Sequence, residues 1–260
     1  MTDRTEYSPS EIMTVVAARE LRDGECVFVG VGLPNVACNL ARRRHAPSLQ
    51  MIFEAGVFGA NPERQPLSIG DPTLVSGATS VCSISDIFNL YLQGGHIDVG
   101  VLGAAQIDRF GNMNTTVIGD YHHPTVRLPG SGGACEIAHL AHSVIVVMRL
   151  KPRAFVEKLD FLTSPGFLEG GDSRARAGIG GRGPRVVVTD RAVFRFDPES
   201  QEMFLSSVHP GTTVDEVRAL VGWPLQTAIP EVETTPPPLP EELRTIREEL
   251  DPGGASGGSN

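Results

Sequence analysis

One carboxylate stands out by its position. The apolar run Met51-Ile52-Phe53 reaches Glu54 and then breaks at Ala55-Gly56-Val57-Phe58-Gly59. A buried strand would deliver Glu54 to its carboxyl end. Gly56 and Gly59 would let the backbone turn there and let another molecule come close. In open α/β sheets, ligands sit just beyond the carboxyl ends of strands, so Glu54 is a candidate nucleophile or general base. The competing reading makes it a turn cap or a surface partner of an arginine, and the stretch by itself favours that one.

Other chemistries fail on their residues. Gly30-x-Gly32-x-x-Asn35 opens like a dinucleotide fingerprint but lacks the third glycine and is interrupted by Pro34. No Walker-type loop occurs. Ser131 sits among glycines, but Pro129 stands where a nucleophile elbow needs glycine. His139-x-x-His142 has no cysteine or acid at ligand spacing, so a zinc site is not expected there. His122-His123 reads as a loop pair before Pro124, with a substrate contact as the lesser alternative. What survives is Glu54 together with three amide-rich loops: Gly30 to Asn35, Gly103 to Asn114 and Pro129 to Gly133. Glycines at strand ends expose N–H donors that hold oxyanions or phosphates. Gln106 and Asn114 add side-chain donors, though each is equally readable as a turn residue. A carboxylate among amide donors suits covalent acyl chemistry, since an unperturbed glutamate is ionised at neutral pH.

These groups need a scaffold, and the spacing predicts one. Ser8-Pro9-Ser10-Glu11 starts a helix reaching about Arg22. An apolar strand follows at 26–31, a turn at 32–35, a helix at 36–44 and a strand at 49–54. That is a β-α-β unit, hence a parallel sheet with a right-handed crossover. An extended loop is expected over 59–81, a helix over 85–92 opened by a serine cap, and a strand over 99–103. A short strand at 114–118, a helix from the glycine loop through His139, and a central strand at 143–148 come next. A meander is expected at 186–189, 192–196 and 203–208, then a helix at 213–221. The fold class is therefore α/β: an open, mostly parallel sheet with flanking helices. Residues 1–230 read as one domain. Residues 231–260 read as a Pro/Gly-rich acidic tail, with a stiff 234–238 linker, a short helix at 241–250 and a partly disordered end.

The chain has 260 residues, enough for a substantial core. Its net charge of -9 argues against a nucleic-acid binder, which needs a basic face. Cys26, Cys38, Cys82 and Cys135 form no C-x-x-C pair and are expected as free thiols in a reducing cytoplasm. No apolar run approaches a membrane span, and the polar 1–7 segment gives no expectation of export.

Taken in order, the motifs resemble the β subunit of class I CoA-transferases, of the glutaconate and 3-oxoacid type. The matching stretches are Gly30-Val31-Gly32-Leu33-Pro34, Phe53-Glu54-Ala55-Gly56, Gly94-Gly95-His96-Ile97-Asp98 and Val101 through Asp108. Gly111-Asn112-Met113-Asn114, Pro129-Gly130-Ser131-Gly132-Gly133-Ala134, Val188-Thr189-Asp190 and His209-Pro210-Gly211 complete them. The resemblance implies the NagB-like α/β fold and an α subunit as partner, in an α2β2 or larger assembly without nucleic acid or membrane. It implies that Glu54 attacks an acyl-CoA thioester and carries CoA as a glutamyl thioester to a second carboxylic acid. No cofactor is held permanently and no metal is used; CoA is a substrate. Gly32, Asn35, Gly56, Gln106, Asn114, Gly130, Ser131, Gly132 and Gly133 would contact substrate or CoA. Part of the oxyanion site would come from the α subunit, so the chain alone is expected to be inactive. Three positions depart from the family pattern. Ala55 replaces the usual Asn beside the glutamate, which fits the glutaconate-like branch. In the glycine loop, Ser131 and Cys135 stand where many relatives have Met or Asn. The same scaffold also serves hydrolases and decarboxylases of CoA thioesters, and a non-catalytic subunit is a further alternative. The presence of Glu54 favours transfer, although a glutamate can also activate water.

Overall fold

The structure, a computed structural model, describes residues 6–62 and 64–254. Contacts group the chain into two compact units, 1–101 with 237–260, and 102–236.

The first unit begins with α1 (Pro9–Arg19), closed at its start by the expected capping box between Ser8 and Glu11. β1 (Cys26–Phe28) and β2 (Gln50–Phe53) run parallel, with Val27 opposite Met51, and α2 (Leu33–Arg44) joins them. β3 (Val57–Phe58) returns antiparallel to β2, and β4 (Ser80–Val81) pairs antiparallel with β3. α3 (Ile84–Asp86) continues as a wider turn through 87–92. β5 (Val99–Leu102) lies parallel to β1. The order is therefore β5-β1-β2-β3-β4. Val27, Met51, Ile52, Phe53 and Val99 are fully buried. This is why these strands read as unbroken apolar runs rather than alternating ones: both faces are covered.

The second unit opens with two hairpins, β6 (Gln106–Ile107) with β7 (Met113–Asn114), and β8 (Val117–Gly119) with β9 (Pro124–Arg127). α4 (Ala134–Leu140) leads into β10 (Ser143–Val147). A short α5 (Ser173–Arg176) precedes β11 (Pro184–Val188), which is parallel to β10. β12 (Ala192–Phe196) and β13 (Met203–Val208) complete the expected antiparallel meander. α6 (Val214–Arg218) follows, and β14 (Gln226–Thr227) and β15 (Glu233–Thr234) each lie parallel to β13. Phe155 packs between Phe194 and Trp223, with centroids at 5.3 and 6.2 Å.

The chain ends in α7 (Pro240–Arg244), prolonged through Leu250. This stretch was expected as tail, with a helix at 241–250. The helix is present and is packed into the first unit, with Leu243, Ile246 and Leu250 buried. Arg19 clamps it through a bidentate pair to Glu242, at 3.0 and 2.6 Å. The last stretch, 255–260, lies outside the described residues.

Boundaries moved for local reasons. α2 starts at Leu33, not Val36, because Gly32 takes φ +78° as its N-cap and Pro34 is tolerated in the first turn. The cap of the 84–92 segment is Ser83, reciprocated by Asp86, so Ser85 lies inside the first turn. The expected 114–118 strand is broken, because Asn114 folds its own side chain onto the Val117 carbonyl at 2.7 Å and makes a turn. β9 carried no apolar alternation, being mostly exposed, and was not foreseen. The cysteines are free, and burial pushes the Cys26 and Cys38 thiols up to about 12.

Arg174 is an unusual core residue, 5% exposed. It donates to the carbonyls of Ala138 (2.7 Å), Gly166 (2.8 Å) and Gly180 (3.1 Å), tying together three segments of the second unit. Desolvation pushes its guanidinium down to about 10, still charged at neutral pH. Removing it would leave buried carbonyls without donors. Arg174→Met is expected to lower unfolding free energy by about 2–4 kcal/mol in urea titration, and a loss below about 1 kcal/mol would contradict this reading.

Candidate active site

Glu54 is the first residue of the turn joining β2 to β3, just past the carboxyl end of a buried strand. The turn closes when the Gly56 N–H donates to Phe53 O at 3.0 Å. Gly56 adopts φ +96°, and a Cβ there would collide with the Cys82 carbonyl. The Cys82 N–H in turn donates to Gly56 O at 2.8 Å. Only glycine satisfies both demands, so the turn is fixed in one shape. Glu54 is half-buried at its rim. Among the described residues its carboxylate enters no ion pair or hydrogen bond, so the reading of Glu54 as an arginine partner finds no partner.

Gly32 and Asn35 belong to the same unit and behave differently. Gly32 needs its positive φ but faces open space where a Cβ would stand, leaving its backbone approachable. Asn35 is fully buried. Its amide donates to Gln65 Oε1 at 2.6 Å and its oxygen accepts from Asn39 at 3.0 Å. The Gln65 bond pins the 59–81 loop to α2, and the Asn39 bond, within α2, fixes the Asn35 side chain. The loop is held further by Arg42 on the Ala60 carbonyl (2.8 Å) and by Asp71. Arg64 beside Asp71, helped by the Leu67 and Thr73 amides, holds that carboxyl well below the usual range.

In the second unit the glycine loop forms a real concavity. Gly103, Ala104, Thr115, Leu128, Gly130 and Ser131 are among the residues lining a cavity of about 310 Å³. Gly130 and Gly132 take φ +94° and +48°, and nothing crowds the outer face of either. The loop is stapled by Gly130 N–H to Thr115 O and Thr115 Oγ1 to Gly130 O, both 2.8 Å. Ser131 Oγ accepts the Cys135 N–H at 3.2 Å, and Gly133 is buried at the start of α4. Ser131 thus braces the helix entry.

Gln106 and Asn114 are not presented as free donors. Both are buried, and Asn114 Nδ2 donates to Gln106 Oε1 at 2.8 Å. Gln106 Nε2 donates to Asp160 Oδ2 at 2.9 Å, and the Asp160 N–H returns to Gln106 Oε1 at 3.1 Å. Asn114 Oδ1 accepts the Thr116 N–H at 2.9 Å. Their hydrogen-bonding capacity is spent on the hairpins beside the glycine loop, because a buried amide left unpaired costs more than the fold can spare. The structure thus groups Glu54, Gly56, Gly32 and Asn35 in one unit, and Gln106, Asn114 and Gly130 to Gly133 in the other. Thr115 and Asp160 were missed. Neither carries a motif signal, since each acts only through partners distant in sequence.

The coenzyme A transferase family matches residues 10–220. The chain belongs to that family. It is 48% identical over 241 residues to a subunit of the 3-oxoadipate CoA-transferase of Pseudomonas knackmussii, the β subunit, covering 93% of this chain and 92% of that one. It is 36% identical over 261 residues to the β subunit of the glutaconate CoA-transferase of Acidaminococcus fermentans, covering 98% and 97%. The crystal structure of glutaconate coenzyme A-transferase from the same organism superposes with a TM-score of 0.92 at 35% identity, over 99% of this chain and all of that one. The α/β fold expected from the sequence is thereby shown. Ala55 pointed to the glutaconate-like branch, yet of these two relatives the 3-oxoadipate enzyme's subunit is the more identical, so one residue does not assign the branch.

The turn at Gly56 is testable in this CoA-transferase family chain. Gly56→Ala meets both a positive φ and a backbone collision, and is expected to cost about 3 kcal/mol or more in thermal or urea unfolding. Gly32→Ala meets only the positive φ, and is expected to cost about 1 kcal/mol. Equal costs would contradict the account of the turn.

Proposed function

We propose that this chain is the β subunit of a CoA-transferase that moves CoA from an acyl-CoA to a carboxylic acid, with Glu54 as the covalent carrier. The observation that carries the proposal is Glu54 itself: a half-buried carboxylate with no described partner, on a turn that only glycine permits, in a chain of this family. A free carboxylate is the form in which glutamate is a nucleophile.

The chemistry balances without a redox partner. The Glu54 carboxylate attacks the thioester carbonyl, and the C–S bond breaks to give an acyl-glutamyl anhydride and CoA thiolate. The thiolate attacks the Glu54 carbonyl, forming a glutamyl-CoA thioester and releasing the first acid. The second carboxylate attacks that thioester, and thiolate is again expelled. It then attacks the new acyl carbonyl, giving the product thioester and restoring Glu54. Each tetrahedral oxyanion needs N–H donors; the Gly130 N–H is spent on Thr115 O, while the Gly132 N–H has no partner among the described residues and is of the right kind. Gly56 shapes the turn that carries Glu54, and Gly32 leaves the outer face of its own backbone open. Asn35, Gln106, Asn114, Ser131 and Gly133 serve by positioning these loops.

We infer a dicarboxylic or 3-oxo acid as substrate. 3-Oxoadipate, named in the 48%-identical relative, is both. Both relatives are subunits by name, which supports an α partner, and we infer an α2β2 or larger assembly in the cytoplasm, with residues 1–230 as the CoA-transferase domain. No helix among the described residues is long and apolar enough to cross a membrane.

The test uses the complex with its α subunit. Glu54→Ala is expected to lower CoA exchange between acyl-CoA and acid by about a thousandfold or more, with the complex still assembled. Near-normal exchange would reject the covalent role. Wild-type release of CoA without an acceptor acid would indicate hydrolysis instead.

A further inference from the structure

Two motifs of the sequence take no part in the transfer chemistry, and the second unit brings them together. Val188-Thr189-Asp190 ends β11 and opens its turn to β12, and His209-Pro210-Gly211 follows β13 directly. The antiparallel meander puts the end of β13 beside the start of β12, with Val208 opposite Ala192. That register carries His209 onto the 189–192 turn. Its N–H donates to Arg191 O at 2.8 Å, and its ring Nε2 meets Thr189 O at 2.9 Å. His209 is only 3% exposed.

The turn is a junction for other strands as well. Thr189, fully buried, accepts the Arg191 and Ala192 N–H groups on its hydroxyl at 3.2 and 2.9 Å. Asp190 Oδ1 accepts the Leu150 N–H at 2.8 Å, which ties in the segment leaving β10. One residue before His209, Val208 O accepts the Thr235 N–H at 2.8 Å, and Ser207 Oγ meets Thr235 Oγ1 at 2.7 Å, where the chain leaves β15. His209 therefore stands at the junction of β10 to β13 with β15.

The geometry also fixes the charge of the ring. A carbonyl only accepts, so Nε2 carries the proton and Nδ1 is a bare lone pair. Nδ1 is buried and has no hydrogen-bond partner among the described residues. A neutral lone pair tolerates that position. A protonated Nδ1 would be a donor without an acceptor, on a charge shut away from water, and would cost far more. The charged groups of the surrounding elements do not remove that cost. Asp190 favours the imidazolium, but its carboxylate is shared by the Leu150 N–H and by Arg149, whose guanidinium lies 3.9 Å from Oδ2. Arg191 on the same turn is a like charge and attracts Glu216 of α6. Glu233 of β15 stands opposite Ser207, and Arg185 and Arg195 lie further along β11 and β12. Burial outweighs Asp190 and the Thr189 bond, and holds the imidazole below its ordinary value of 6.5.

We propose that His209 is a proton-released latch: neutral, it locks the 189–192 turn to the end of β13, and a proton on Nδ1 breaks the lock and opens this junction. The opened ring takes a proton more readily than the locked one. The lock is therefore at full strength above the ordinary histidine range and is lost as pH falls through it. The latch is independent of the CoA-transfer reading, since it uses no residue of that chemistry.

The experiment follows amide hydrogen exchange of the full chain by mass spectrometry, on peptides covering 189–192 and 207–212, with each rate divided by the intrinsic rate at the same pH. Between about pH 7.5 and about pH 5.5, protection of these amides in the wild type is expected to fall about fivefold or more, relative to the amides of 51–53 in the first unit. His209→Gln keeps an N–H donor near the place of Nε2 and cannot become charged. Its protection over the same range is expected to change less than about twofold. A wild-type change within twofold overturns the latch, as does an equal loss in the Gln variant. Should that variant not fold, the wild type decides alone, because exchange of the imidazole C–H reports the titration of each histidine in the folded chain. Titration of His209 below the ordinary value of about 6.5 supports the latch, and titration at or above it overturns the latch.

Discussion

The account depends on one close approach of backbone to backbone. The Cys82 N–H donates to Gly56 O while the Cys82 carbonyl fills the space where a Cβ on Gly56 would be. That contact ties the β2–β3 turn to the segment leaving β4. It fixes the strand end on which Glu54 stands, and it admits no residue but glycine. A carboxylate that must attack and then be attacked in turn has to be held at one place, and a turn with a single allowed conformation does this better than a long loop.

The remaining polar groups divide into those that the fold consumes and those that it leaves free. Asn35, Gln106 and Asn114 are buried and bonded on both ends of their amides. They keep the loops in place, and their burial explains why they are not offered to a ligand. Gly32, Gly130 and Gly132 have open outer faces, with the Gly130 N–H and carbonyl both bonded to Thr115. The loops' usefulness thus lies in their main chain, with side chains acting as braces.

Much of this was legible in the sequence. Strands buried on both faces show themselves as short apolar runs, so β1, β2, β5, β10 and the meander were read correctly, and the Ser8 capping box marked the start of α1 to the residue. Glu54 was legible because a lone acid at the end of such a run is conspicuous. The rest depended on partners distant in the chain. Nothing local shows that Asp160 would accept from both Gln106 and Gly119, or that Gln65 would meet Asn35. The exposed β9 lacks alternation, and the helix in the expected tail is docked because Arg19 reaches across 223 residues to Glu242. Such long-range pairs are set by tertiary packing, which local pattern does not encode.

The central claim is that Glu54 becomes covalently bound to CoA during turnover. The most direct measurement is to mix the complex with acyl-CoA in the absence of acceptor acid, reduce with borohydride or cleave with hydroxylamine, and locate the modified residue by peptide mass spectrometry. The account predicts a single acyl-CoA-dependent modification on the peptide carrying Glu54. An unmodified Glu54 peptide, or a label on another residue, in a complex shown to be turning over, would contradict it.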